Sequence, residues 1–116
     1  MIVCAIDDLL FSIKISTAAK SLGVDLYFER TPENVVPRIR EKQPSLVIFD
    51  LNSQRLRPMD AIAELKSDPA LAGIRTLGYV AHVDAETIAA ARAAGVDQVL
   101  ARSAFASTLG SILTSA

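Results

Sequence analysis

Apolar residues along this chain come in five short runs, at residues 2–6, 25–29, 46–50, 74–80 and 96–101, separated by stretches of helical period. Runs this short and this uniformly apolar predict strands buried on both faces of a parallel sheet. The third is the sharpest: Leu46-Val47-Ile48-Phe49 ends abruptly on the carboxylate of Asp50. The second has a shorter apolar stretch, closed by Asp25 and Glu29, and is more polar, which predicts an edge strand. In the first helical stretch Phe11, Ile15, Ala18 and Leu22 stand at i, i+4, i+7 and i+11, and Gly23 ends it. Thr31-Pro32 opens a second helix, starting either there or near Asn34; the later start places Pro37 in its first turn, and Val35 and Ile39 face the core either way. Pro58 opens a third helix with Ile62 and Leu65 inward, after a polar loop from Leu51 to Arg57. Asp84 caps an alanine-rich fourth that Gly95 ends, and Ser103 caps a fifth whose apolar stripe is Phe105, Leu109, Ile112 and Leu113. Strands alternating with helices through short connections predict one α/β domain spanning residues 1–116. Its architecture is a five-stranded parallel sheet with helices on both faces.

Composition narrows the function more than the fold. The chain has 116 residues, large enough for a core without staples, and a formal net charge of -1, which gives no electrostatic reason to expect nucleic acid or an anionic membrane. Its one cysteine, Cys4, lies inside an apolar run and reads as a small core residue in a protein of a reducing compartment. The N-terminus lacks a basic region and is closed by Asp7 and Asp8, and no apolar stretch approaches the roughly 20 residues of a membrane span. A cytoplasmic protein with no membrane partner is expected.

The candidate chemistry is acidic. Asp7 and Asp8 leave the first strand and Asp50 leaves the third. In the strand order 2-1-3-4-5 these strands are neighbours flanking the point where the order reverses, which is where open α/β sheets place their ligands. Three carboxylates then converge on one crevice, a donor set suited to Mg²⁺. The plainer alternative is that acidic residues cap helix N-termini, where the dipole favours them.

With these residues in view the chain resembles the receiver domain of two-component response regulators, of flavodoxin-like fold, over essentially its full length. The resemblance is carried by Ile2-Val3-Cys4-Ala5-Ile6-Asp7-Asp8, by Leu46-Val47-Ile48-Phe49-Asp50, and by Ala91-Arg92-Ala93-Ala94-Gly95-Val96-Asp97 running into Val99-Leu100-Ala101-Arg102. It implies that Asp50 accepts a phosphoryl group from a histidine kinase or phosphotransfer protein. It further implies that Asp7, Asp8 and Asp50 hold Mg²⁺ with a backbone carbonyl at Asn52. Output would pass to a protein partner through the face of the fourth helix, fifth strand and fifth helix. It implies a signalling module rather than an enzyme.

The departures from the family pattern are specific. The hydroxyl residue that senses the phosphoryl group falls on Val80, the switch aromatic of the fifth strand falls on Val99, and the lysine falls on Arg102, followed by Ser103 in place of proline. Valine has nearly the shape of threonine but donates no hydrogen bond. Arginine keeps the charge and is expected to pair with one of the three carboxylates, Asp50 by preference. Arg55 and Arg57 read as a solvated loop face, and His82, the lone histidine, as an exposed loop residue near the same rim. Two readings follow: a stand-alone receiver phosphorylated on Asp50, or a pseudo-receiver, a phosphorylation-independent interaction module in which Arg102 pairs with Asp50. A flavodoxin-like nucleotide binder is disfavoured, because no glycine-rich loop follows the first strand. The alanine-rich fourth helix is compatible with a homodimer.

Overall fold

The fold was established from a computed structural model, which describes residues 1–81 and 84–116. Five strands, β1 (Ile2–Ala5), β2 (Leu26–Phe28), β3 (Leu46–Asp50), β4 (Arg75–Val80) and β5 (Gln98–Ala101), form one parallel sheet in the order β2-β1-β3-β4-β5. Among the described residues six α-helices accompany them: α1 (Leu9–Leu22), α2 (Val35–Lys42), α3 (Pro58–Ser67), α4 (Ala85–Ala93), α5 (Arg102–Ser107) and α6 (Leu109–Thr114). The expected fold class is thereby confirmed, with β2 at an edge as its polarity predicted.

Successive strand residues alternate between two core layers. Val3, Ala5, Val47, Phe49 and Val80 pack with Ile39, Ile62, Leu65 and Ala91, so α2, α3 and α4 cover one face. Ile2, Cys4, Ile6, Ile48, Leu77 and Tyr79 pack with Phe11, Ile15, Phe105 and Leu109, so α1, α5 and α6 cover the other. Cys4 is fully buried, and burial pushes its thiol up to about 12, so it carries no thiolate at neutral pH.

Local signals account for most boundaries. Gly23 adopts the left-handed conformation, φ 69°, and its N–H closes α1 onto Ala19 and Lys20 carbonyls. A 3-10 turn over Pro32–Asn34 precedes α2, which places Pro37 in the first helical turn, the later of the two expected starts. Asp84 caps α4 by accepting from the Glu86 and Thr87 amides.

Three local expectations are corrected. The C-terminal helix is two: α5 and α6 meet at Thr108, whose amide and Oγ1 both donate to the Ala104 carbonyl. Such back-bonding bends helices, and Gly110 weakens the turn that follows. Ser103 caps nothing, because β5 runs into α5 without a loop and Ala101 holds the cap position. The loop after β3 is also less polar in its packing than in its composition. Leu51 and Leu56 are buried in the core, and Ser53 Oγ accepts from the Leu56 amide at 3.2 Å.

Leu51 has a close neighbour in β4. A Cβ built on Gly78 would stand 2.6 Å from Leu51 Cδ1. Gly78→Ala is therefore expected to destabilise the domain by about 1–3 kcal/mol through overpacking, measured by urea denaturation. Unchanged stability would mean that Leu51 repacks freely.

Candidate functional site

The C-terminal ends of β1 and β3 bring Asp7, Asp8 and Asp50 to one rim, as the sequence order predicted. Asp50 is half-buried, and its Oδ1 accepts from the Asn52 amide at 3.0 Å. Burial raises its carboxyl above the ordinary range; the Asn52 amide opposes this, the charges of Asp7 and Asp8 add to it, and Arg102 opposes it. The two neighbouring aspartates are thus close enough in space to act on Asp50, although they lie more than forty residues away in sequence.

Asp8 does two things at once. Its Oδ1 caps α1 by accepting from the Phe11 amide at 3.1 Å, the plainer role considered for an acidic residue here. Its Oδ2 pairs with Arg102 Nη1 at 3.4 Å. The expected preference of Arg102 for Asp50 is therefore corrected: the ion pair is with Asp8. The reason is geometric, since Arg102 is the first residue of α5, its guanidinium lies 5.6 Å over the Phe11 ring, and that ring sits on α1 beside Asp8. Both partners are partly exposed, at 44% and 36%. Arg102→Gln is accordingly expected to change stability by less than about 1 kcal/mol. The same substitution removes a charge that holds the Asp50 carboxyl down, so it should titrate at still higher pH. Carboxyl-detected NMR across the acid range checks this, and an unmoved titration would contradict it.

Asn52 contributes more than its backbone. Its side-chain Oδ1 accepts from the Ala81 amide at 2.6 Å, tying the β3 loop to the end of β4. Val80, at 1% exposure, is buried in the α2–α4 layer, and Val99 packs partly buried against the same layer. Arg55 and Arg57 are exposed, and Arg57 pairs with Glu33 at 3.5 Å, in keeping with a solvated loop face. His82 lies outside the described residues.

The oxygen-only, multiply negative donor set fits a hard divalent cation. Among the described residues no three such side chains are gathered closely enough to enclose a metal by themselves. Beside the rim, a cleft of about 590 Å³ is lined by Asp8, Leu10, Phe11, Lys14, Ala101 and Arg102.

Reading the sequence alone missed Tyr79. Its ring is sandwiched in the α1–α5 layer, 5.2 Å from Phe105 with planes at 4° and 5.0 Å from Phe11. Only the strand register, which sets Tyr79 opposite Asp50, reveals the relation.

The order of the sheet and its two helical layers match the flavodoxin-like fold found in response regulator receiver domains. The phosphorylated cyanobacterial phytochrome response regulator RcpA superposes with a TM-score of 0.83 at 21% identity, covering 98% of this chain and 88% of that one. A response regulator from Hahella chejuensis gives 0.86 at 13% identity, over 97% and 91% of the two chains. The Mn²⁺-bound form of response regulator Rcp1 gives 0.79 at 18% identity, over 96% and 89%. No family model matches the sequence, and no curated relative does either. Among the described residues no helix is long and apolar enough to cross a membrane.

Proposed function

We propose that this chain is a phosphorelay receiver domain that accepts a phosphoryl group on Asp50 and signals through protein contacts. The observation that carries this is the convergence of Asp7 and Asp8 on a half-buried Asp50 at the switch point of a receiver fold. A phosphorylated state of RcpA and a Mn²⁺-bound state of Rcp1, two proteins of the same fold, support it.

In this reading a carboxylate oxygen of Asp50 attacks the phosphorus of a phosphohistidine. The new P–O bond replaces the P–N bond, and the imidazole leaves with the electron pair and takes up a proton. Asp7 and Asp50, with Asp8 and the Asn52 carbonyl, would hold Mg²⁺, whose charge offsets that of the incoming phosphoryl oxygens. The Asn52 amide fixes one Asp50 oxygen, leaving the other to act. Arg102, held on Asp8 and acting on the Asp50 carboxyl, is a cation that could swing to a phosphoryl oxygen. The donor is a histidine kinase or phosphotransfer protein. Of the exposed large hydrophobics among the described residues, Leu9, Leu10 and Ile13 cluster on the first turns of α1, next to the rim. A donor that must reach Asp50 lands beside that patch. An output partner would use the face of α4, β5 and α5.

The second reading, a pseudo-receiver, draws on one observation: Arg102 already occupies a carboxylate of the acidic pair, here Asp8. Intact mass after incubation with Mg²⁺ and acetyl phosphate separates the two. A phosphoryl increment on the protein, absent in Asp50→Asn, supports the receiver; no increment and no Mg²⁺ binding would favour the pseudo-receiver.

A further inference from the structure

We propose that the Tyr79 hydroxyl reads the state of Asp50, supplying from β4 the hydrogen-bond donor that Val80 lacks and passing the response to α5. This rests on the phosphoacceptor reading of Asp50 and assigns the residue that would sense it.

Three observations lead there. First, Tyr79 is paired with Asp50 in the strand register, and the two-residue alternation puts both on the sheet face covered by α1 and α5. Second, Tyr79 is only 1% exposed, and its Oη has no hydrogen-bond partner among the described residues. Buried hydroxyls are almost always paired, and phenylalanine would fill the same space without an orphan donor. Third, the ring stacks in parallel on Phe105, the one buried residue of α5, and touches Phe11, which carries Arg102 on its face. A shift of Tyr79 is therefore felt by the helix that begins at Arg102.

The charges around the hydroxyl agree. After burial, the charges that most weaken the acidity of the Tyr79 hydroxyl are those of Asp50 and then Asp8, with Arg102 opposing. All three belong to the strand-end rim, beside which the register sets Tyr79, and the hydroxyl stays a neutral donor at neutral pH. Asp50, its partner in the strand register, already accepts from the Asn52 amide. A phosphoryl group on Asp50 adds three acceptor oxygens at the end of that side chain, and the unpaired donor beneath gains a partner. Tyr79 is a positioning residue in this scheme, not a catalytic one.

Tyr79→Phe removes only the hydroxyl and is the deciding variant. The probe is Mg²⁺ with beryllium fluoride, a non-covalent phosphoryl mimic, followed by NMR on the full chain with ¹³Cζ-labelled tyrosine. Wild type is expected to bind the probe with a shift of the Tyr79 ¹³Cζ signal and of α5 amides. Tyr79→Phe is expected to fold with equal or higher Tm, to bind about tenfold more weakly, and to lose the α5 shifts. Equal affinity with unchanged α5 shifts in Tyr79→Phe overturns the inference while leaving Asp50 as acceptor. A wild type that neither binds the probe nor takes up a phosphoryl group from acetyl phosphate overturns both.

Discussion

Phe105→Ala should cost about 3–5 kcal/mol of folding free energy, the largest loss expected of any single truncation in the α1–α5 layer. Phe105 has no exposed surface and stands 5.2 Å from the Tyr79 ring and 5.7 Å from Phe11. Aromatic contacts of this kind add about 0.5–1.5 kcal/mol beyond burial itself. The helix it anchors is only 6 residues long, has no side-chain N-cap, and contributes no other buried residue. A helix that short has no stability of its own in water and is held only by what it buries. Losing the ring therefore frees α5 and with it Arg102, so the Asp8 ion pair should go as well. Urea denaturation gives the stability, and the amide spectrum of α5 gives the local effect. A loss below about 1 kcal/mol would show that the layer closes over the gap.

Asp50→Asn is the second large effect, and its two consequences point in opposite directions. Phosphoryl uptake should vanish, since an amide is not the nucleophile a carboxylate is. Stability at neutral pH should rise. The folded protein holds the Asp50 carboxyl above its ordinary value of 3.8, through burial and then the charges of Asp7 and Asp8 acting against the Asn52 amide and Arg102. For an acid shifted upward the folded state binds the proton more tightly than the unfolded chain does. The penalty of the ionised carboxylate is thus fully present above the raised folded value. It fades as pH falls through that value and is gone below the ordinary one. Tm of wild type and Asp50→Asn should therefore differ at pH 7, with the variant higher, and converge on acidification. A variant less stable at pH 7 would mean that the ionised carboxylate is a net structural asset.

Most of the architecture was legible along the chain because its causes are local. Five apolar runs, Gly23 after α1 and Asp84 before α4 set elements whose formation depends on neighbours within a few residues. The placement of Asp7, Asp8 and Asp50 at strand ends was legible for the same reason. Where the reading failed, the cause lay across the fold or in competition between near-equal options. Thr108 sits within an unbroken apolar stripe, yet its hydroxyl and amide converge on one carbonyl and divide the helix. Leu51 and Leu56 sit among polar loop residues, yet the sheet leaves room for them in the core.

The sequence by itself determined an acidic rim on a parallel sheet, because strand periodicity and carboxylate position are one-dimensional facts. Tertiary structure alone decided which carboxylate Arg102 meets and which side chain lies beneath Asp50. Arg102 is separated from Asp8 by 94 positions, and only the packing of α5 against α1 brings their charges to 3.4 Å. Tyr79 faces Asp50 through a strand register that no local pattern encodes. Charge pairing and ring stacking act over a few ångströms, so they follow the distances that folding creates and not the spacing of residues along the chain.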